Sequence, residues 1–597
     1  MLILFGSQTG NAMDAAERVG REARSRGFHA RILPADFYMN MIDTFPTEDI
    51  VICITSTTGQ GEFPDNCSKF WKFLRKKSLS GDSLGNIRCG VFGLGDSGYP
   101  KYNYSAKRLH KRFGDLGATF LVPLGLGDDQ HAHGYDASLD VWLSQLWSAL
   151  NAPQRLHETL CRIEKKVFVE SVSTSMGSDA GEKVGYFAAI EAGNCMRRLE
   201  ECAWHGNANN TKDNTVYSVK VVENMRMTAA DHFQDVRLLT LEKPKGSNIN
   251  PGDALGVWPK QSRIDVQNLL HRCKVGHNDI VRVSYRHGNN EKEKNSMLVS
   301  AGNLLEGFID IKGAPPRRTF FQVMAQLCPD GLHKERLLHL SSTSGREDFY
   351  EYVMQEGRNL IEVLDDFPSV PMDLAWILSY APKLQCRYYS VSSYPQGNTV
   401  DILAGLVEWR TPGRHLRKGL CSKTLATAMR QDELVIQIAR GDLQSLPLST
   451  PLILVGPGTG IAPIRSFLQE RQAKFAENFP PIASSILFFG CRNRMKDFYF
   501  ENEWNAMLSS GVLKKVFVAS SREETPRMYV QDALEKHGDL VWKHILNGAH
   551  IYVCGRAGSM PASVERSLRQ IICSQGNQSL DNAKKILSQR LHVECWN

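Results

Sequence analysis

Two kinds of hydrophobic pattern divide the chain. Towards both ends, short runs of consecutive apolar residues each lead into a loop rich in glycine and hydroxyl side chains, and then into apolar positions at helical spacing. Leu2–Phe5 is followed by Ala12, Ala15, Ala16, Val19 and Ala23, which share one face of a helix that Gly27 ends. Arg31–Leu33, Asp49–Thr55, Ile87–Gly93 and Thr119–Leu124 read as further strands, and Cys67, Phe70, Trp71 and Leu74 as one face of a helix. Continuously apolar, β-branched runs suit parallel strands covered on both faces. The pattern returns with strands at Thr450–Val455, Ile486–Gly490, Val516–Ser520 and Ile551–Cys554, and a helix at Ile464–Arg471. Between these ends, Val216–Val222, Val236–Leu241, Ala254–Trp258, Tyr388–Val391, Val400–Val407 and Leu434–Ile438 read as the strands of a β-barrel. Residues from about 262 to 375 are mainly helical by periodicity, as at Thr319–Leu327 and Leu360–Leu364, and read as an insertion in that barrel. Residues 151–215 are rich in Ser, Gly and Asn and predict a linker with one short helix near Arg197–Cys202. The expected order is an α/β domain over 1–150, the linker, a barrel with its insertion over 216–445, and a second α/β domain over 446–597.

Length agrees with this division: 597 residues imply roughly three to five units at about 100–200 residues each. With 42% hydrophobic and 23% charged residues the chain has an ordinary globular composition, which excludes disorder as its general state. No apolar run approaches the ~18–20 residues that span a bilayer. The start, Met1 and a four-residue apolar run without a basic segment, leads us to expect neither a signal peptide nor a membrane anchor. The 14 cysteines lack any C-x-x-C pair and read as reduced thiols of a cytoplasmic protein. A net charge of +7 is mild for this size and argues against a nucleic-acid binder. Lys69, Lys72, Arg75, Lys76 and Lys77 read as a solvated helix face. His131 and His133 have no third ligand nearby, so no metal site is expected.

The chemistry lies in the loops. Ser7-Gln8-Thr9-Gly10-Asn11-Ala12 joins a strand to a helix N-terminus, where free backbone N–H groups and the positive dipole end can hold an anion. Ser56-Thr57-Thr58-Gly59, Leu94-Gly95-Asp96-Ser97-Gly98-Tyr99-Pro100-Lys101-Tyr102-Asn103 and the loop carrying Asp129 also follow strands. In an open doubly wound sheet, ligands bind at that edge, and Tyr99 is the candidate stacking aromatic. Gly93-Leu94-Gly95-Asp96-Ser97-Gly98 matches G-x-G-x-x-G, but it follows a later strand of the domain and does not open a first helix, so a dinucleotide fingerprint is rejected. In the barrel, Arg387-Tyr388-Tyr389-Ser390 offers a cation, two ring faces and a hydroxyl, and Gly419-Leu420-Cys421-Ser422 opens a helix; Arg358 is a further cation. Alone, Arg-Tyr-Tyr-Ser is more often a plain strand. In the last domain, Gly456-Pro457-Gly458-Thr459-Gly460 suits a pyrophosphate, and Ser521, Arg522 and Arg527 suit a 2′-phosphate. Glu523 and Glu524 are expected to point outward.

Three of these loops, S-Q-T-G-N-A, S-T-T-G-Q-G-E and L-G-D-S-G-Y-P-K-Y-N, resemble the flavodoxin-like FMN domain of diflavin reductases. The barrel motifs resemble the FAD site of the ferredoxin–NADP reductase group. The whole chain apart from the linker looks like a diflavin reductase of the cytochrome P450 reductase type. Thr58, the Gly127-Asp128-Asp129-Gln130-His131 segment and the expected lack of an anchor resemble its soluble NADPH-dependent branch of cytosolic iron–sulfur protein assembly. The resemblance implies FMN on the first loops. It implies FAD on Arg358, the Arg387–Ser390 and Gly419–Ser422 motifs and Trp596, and NADPH on Thr459, Ser521, Arg522, Arg527, Met528, Tyr529, Val530, Gln531 and Ser563. It implies that Ser390, Cys554 and Glu594 surround the hydride path, and that Trp596 covers the flavin until the nicotinamide displaces it. Relatives usually carry Asp at position 594 and often Asp at 563, where this chain has Glu and Ser. The implied acceptor is a small [2Fe–2S] protein of the anamorsin type; a P450, methionine synthase or sulfite-reducing partner, or a scaffold without catalysis, stay open. A monomer that swings about the linker is expected.

Overall fold

The apolar run at the N-terminus becomes the strand Leu2–Gly6, buried along its whole length. It is the second strand of a parallel sheet ordered Arg31–Pro34, Leu2–Gly6, Ile50–Ser56, Arg88–Gly95, Thr119–Phe120. The computed structural model describes all residues except 60, 100, 154–162, 173–185, 206–214, 286–295, 442, 477–482, 524–525 and 597. Two compact units divide the chain: one takes 1–184, 192–212 and 262–383, the other 185–191, 213–261 and 384–597.

In the first unit, Ala12, Ala15, Ala16, Val19 and Ala23 are all buried, as their spacing requires, on the helix Asn11–Ser25. That helix and Asp136–Ala149 share a core with Ile3, Phe5, Ile52, Ile54 and Phe92. The helices Ser68–Leu74 and Tyr104–Asp115 share the other core, with Leu4, Val51 and Val91. Strand order reverses between Leu2–Gly6 and Ile50–Ser56, which opens a crevice at their C-terminal ends. The expected single strand Thr119–Leu124 is cut short at Phe120. A separate strand, Gly125–Asp128, pairs with Phe92–Gly95 where a loop was expected. Its glycines are required by packing: a Cβ on Gly125 would lie 2.3 Å from the Phe92 ring, and one on Gly127 2.7 Å from Tyr135 Cβ.

The insertion is mainly helical, as expected, around a core that includes Phe308, Phe320, Phe321 and Ile377. It also holds two strands that the helical reading missed, Ile280–Tyr285 and Ser296–Ser300. They pair with Val167–Ser171, which falls inside the expected linker. The linker also contains a helix, Tyr186–His205, much longer than the short one expected.

Buried charge ties the insertion to the first domain. Asp140, on the helix Asp136–Ala149, is 8% exposed yet accepts ion pairs from Arg18, Arg318 and Arg346. Asp136 pairs with Arg18 at 3.1 Å and Arg318 at 3.4 Å. Burial raises the Asp136 pKa even though both arginines pull it down. Lys166 pairs with Glu17 at 2.7 Å.

Among the described residues, the second unit has two large sheets and a two-stranded one, Glu408–Arg410 with Leu416–Lys418. Six antiparallel strands run in the order Arg387–Ser390, Ala254–Val257, Glu433–Ala439, Val216–Arg226, Val236–Glu242, Thr399–Gly405. A bridge between Val391 and Ile402 joins the two outer strands and closes them into the expected barrel. Five parallel strands follow in the order Leu513–Ser520, Ser485–Cys491, Leu452–Pro457, His550–Arg556, Leu591–Trp596. The last of these was not expected from the sequence. Among the described residues, no helix is long and apolar enough to cross a membrane.

Removing one partner of a buried ion network leaves uncompensated charge, which costs about 3–5 kcal/mol. Asp140→Ala should therefore lower the midpoint of the earliest thermal unfolding transition of the full chain, with a loss of at least about 2 kcal/mol. An unchanged transition would show that the three arginines find other acceptors.

Candidate active site

The anion loop of the first domain is built from Ser7 to Ala12. Gly10 has φ +92° and caps the helix Asn11–Ser25, a conformation that favours glycine. Its N–H donates to Ser7 Oγ at 3.0 Å, while the Ser7 N–H donates to Asn66 Oδ1 at 2.9 Å. Gln8 exchanges hydrogen bonds with Asp65, at 3.1 and 3.3 Å. Asp65 and Asn66 were missed from sequence because they act through a loop nearly sixty residues away. Ala12 is fully buried, so only its backbone faces the loop.

The neighbouring loops lock onto this one and onto each other. The Thr57 N–H donates to Leu94 O at 3.0 Å, and Thr58 forms a bridge with Glu62 that turns the chain through Gly59 at φ +48°. Ser56 Oγ donates to Gly6 O at 3.4 Å. Asp96 accepts the Gly98 N–H at 2.7 Å, and Asp128 accepts the N–H groups of Ser97 and Gln130 at 2.9 and 3.0 Å. The Asp129 N–H donates to Gly95 O at 2.9 Å. Withdrawal from water, with the carboxylates of Asp96 and Asp128, raises Asp129 to about 6. Tyr99 is half-buried in this loop, Lys101 is exposed, and Tyr102 donates to Leu126 O at 3.4 Å; Pro100 lies outside the described residues. Asn103 is buried at φ +52° and donates to Gly127 O at 2.8 Å. A Cβ on Gly93 or Gly95 would strike Asn103, at 2.6 and 2.9 Å. The first two glycines of the G-x-G-x-x-G match are therefore packing glycines. This edge fits a flavin phosphate: a helix N-terminus, hydroxyls and a permissive glycine meet at the switch point of a parallel sheet.

In the barrel, Arg387, Tyr388, Tyr389 and Ser390 occupy one strand and alternate in direction. Tyr388 is exposed and its hydroxyl accepts from Gln437 at 2.6 Å. Tyr389 is half-buried against the barrel core beside Cys421, and burial raises its pKa. Arg387 donates to Gln385 O. Gly419 caps the helix Leu420–Thr427, and Ser422 spends its hydroxyl on the backbone of Val407 and Gly419, at 3.1 and 3.2 Å. Burial pushes the Cys421 thiol up to about 12, and it donates to Val257 O at 3.5 Å. Arg358 lies in the first unit, paired with Asp366 at 2.5 Å and 4.4 Å from the Tyr352 ring centre.

The last sheet reverses its strand order between Leu452–Pro457 and His550–Arg556. Gly458 stands there at φ +56° with open space about its Cβ position, and Thr459 is half-buried beside it. Gly460 must be glycine, since a Cβ would lie 2.1 Å from Cys554 O. Ser521 donates to Cys491 O at 3.3 Å, and the Arg522 N–H to Arg492 O at 3.0 Å. The Arg522 and Arg527 side chains are exposed. Glu523 is engaged by the Arg494 N–H at 3.1 Å, and Glu524 is outside the described residues. Tyr529 is 44% exposed, Met528 and Gln531 are half-buried, and Ser563 is half-buried near the start of the helix Ser559–Gly576. Val530 differs from expectation: it is 3% exposed in the core, so only its backbone is available.

The strand Leu591–Trp596 sets Glu594 opposite Cys554 and Trp596 opposite Arg556. Ser390 Oγ donates to Glu594 Oε1 at 2.9 Å, so the longer arm of Glu reaches the barrel serine. Cys554 is fully buried, and burial beside Glu594 holds its thiol protonated. Trp596 is half-buried against the apolar cluster of Val236, Leu403 and Ile461. Among the described residues, no group of three or more His, Cys, Asp or Glu could hold a metal ion.

Comparison with known proteins agrees with this order of sites. Family models for flavodoxin, the FAD binding domain and the oxidoreductase NAD-binding domain match residues 3–142, 209–424 and 454–565. They assign FMN, FAD and NADPH to successive parts of the chain. NADPH-dependent diflavin oxidoreductase 1 of Arabidopsis thaliana is 34% identical over 630 residues, covering 100% of this chain and 99% of its own. The protein of that name from Xenopus laevis is 35% identical over 622 residues with the same coverage, and the one from Schizosaccharomyces pombe 30% over 613. Likeness at this level, end to end on both chains, makes the chain a member of the NADPH-dependent diflavin oxidoreductase family.

Proposed function

We propose that this oxidoreductase takes a hydride from NADPH on residues 446–597, holds FAD on the barrel of 216–445 and FMN on 1–150, and delivers single electrons to the [2Fe–2S] cluster of a small anamorsin-type protein. The place of action is the cytoplasm, in cytosolic iron–sulfur protein assembly. When bound, the nicotinamide supplies a two-electron hydride and the two flavins divide it into single electrons. The observation that carries the reading is the Ser390–Glu594 hydrogen bond at 2.9 Å, with Cys554 in register beside Glu594.

The chain's own residues do the rest. Ser390 and Glu594 orient each other through this hydrogen bond. The neutral Cys554 thiol is buried in the apolar cluster beside Glu594 and does not compete as a nucleophile. Trp596 presents an aromatic face at the end of its strand, where it excludes water and must yield to a nicotinamide ring. Arg522 and Arg527 supply exposed guanidinium groups that distinguish a phosphorylated from a plain ribose.

Purified acceptors test the delivery step. FMN-replete protein should reduce an anamorsin-type [2Fe–2S] protein faster than a P450, methionine synthase or a sulfite-reducing partner, and FMN-depleted protein should lose that reduction. Faster reduction of another partner would reassign the acceptor.

Replacing Arg522 and Arg527 together by Gln should raise KM for NADPH by at least about tenfold, because a hydrogen bond to a charged group is worth about 1.5–3 kcal/mol. KM for NADH should move little. Equal effects on both would remove these arginines from the phosphate site.

Trp596→Ala should raise kcat/KM for NADH by unblocking the flavin face, measured as steady-state reduction of an artificial acceptor. No gain with NADH would deny Trp596 its covering role.

A further inference from the structure

Arg317 comes from the insertion, immediately before the helix Arg318–Leu327, yet its guanidinium rests on the anion loop of the first domain. Nη1 donates to Gly10 O at 3.2 Å, and Nη2 to Thr9 O at 3.3 Å and Asn11 Oδ1 at 2.7 Å. These three acceptors belong to successive residues of the loop that caps the helix Asn11–Ser25. In a trans peptide the carbonyl and the following N–H point in opposite directions. A cation on the carbonyls of Thr9 and Gly10 therefore sets the direction of the Gly10 and Asn11 N–H groups. The insertion's hold continues down the same helix. Thr319 donates to Asp14 at 2.9 Å and accepts from Arg21 at 3.1 Å, and Arg318 and Arg346 reach the buried Asp140 of the helix Asp136–Ala149, which itself pairs with Arg18 of the first helix.

We propose that Arg317 is a positioning residue for the FMN phosphate loop, supplied by the insertion, and that FMN occupancy and the seating of the insertion on the first helix are coupled. This rests on the placement of the FMN phosphate at Ser7–Ala12 given above. A loop held in its binding shape loses less conformational freedom when the phosphate arrives, and its guanidinium adds positive charge beside that site. By linkage, bound FMN must strengthen the seat by the same factor. The insertion is then a sensor of whether the FMN site is filled, and FMN affinity depends on residues outside the flavodoxin-like domain.

The test is FMN titration of the full-length protein after FMN depletion, read by flavin fluorescence, with FAD content measured alongside. Arg317→Ala should raise the FMN Kd on the order of tenfold without changing FAD content, and Arg317→Lys should fall between, since Lys keeps the charge but not the fork. Arg346→Ala, which loosens the seat without touching the loop, should raise the Kd in the same direction. Hydrogen exchange should show FMN slowing exchange across residues 315–321 in the natural chain and not in Arg317→Ala. An unchanged Kd and exchange pattern in Arg317→Ala would overturn the coupling. Ser7→Ala separates the two readings. If it leaves FMN binding intact, the placement of the phosphate fails and the proposal with it. If it weakens FMN while the Arg317 and Arg346 variants are silent, the coupling alone is refuted.

Discussion

The contact that ties the barrel to the last sheet is the hydrogen bond from Ser390 to Glu594, 2.9 Å long and formed between residues about two hundred positions apart. One partner is fixed by an antiparallel barrel strand and the other by the last parallel strand of the nucleotide sheet. Parallel register then leaves no freedom for their neighbours: with Glu594 opposite Cys554, Trp596 must stand opposite Arg556. A slip of one residue would turn Glu594 to the other face of the sheet and send the serine's hydroxyl elsewhere.

Close backbone approach is the second constraint, and it explains which glycines matter. Gly460 lies against the carbonyl of Cys554, and Gly93 and Gly95 lie against Asn103. The same residue type thus serves a nucleotide crevice in one sheet and plain packing in another. The difference is topological: the crevice glycines follow the strand where sheet order reverses, and the packing glycines do not. A matching G-x-G-x-x-G string therefore does not by itself mark a dinucleotide crevice.

What the sequence made legible follows from locality. The strands Ile50–Ser56 and Leu452–Pro457 and the buried face of Asn11–Ser25 are continuous local patterns, and each stands within about a residue or two of its expected place. The loops at their ends are local as well. The errors lie where structure is decided by distant partners. Val167–Ser171 is a short strand whose apolar side is covered only once Ile280–Tyr285 pairs with it. The helix Tyr186–His205 contains Gly193. In the fold, a Cβ there would meet Gly307 O at 2.1 Å, so the glycine marks a close crossing. Gly125–Asp128 looked like a loop because glycine weakens strand propensity, although Phe92 and Tyr135 leave room for nothing larger.

Charge shows the same limit more sharply. Arg18, Arg318 and Arg346 are ordinary surface candidates in a linear reading, scattered over more than three hundred residues, yet they converge on one buried carboxylate. A buried carboxylate demands partners, because unpaired burial of charge is costly. Asp140 on the helix Asp136–Ala149 therefore implies that cations from elsewhere must arrive, even before their identity is known. Arg317 is adjacent in sequence to Arg318, and once Arg318 is drawn to Asp140 its neighbour is delivered to the carbonyls of Thr9 and Gly10. The anion loop is thus shaped from two sides: by its own glycine and serine, which the sequence displays, and by an arginine that only the buried charge of a different helix brings there.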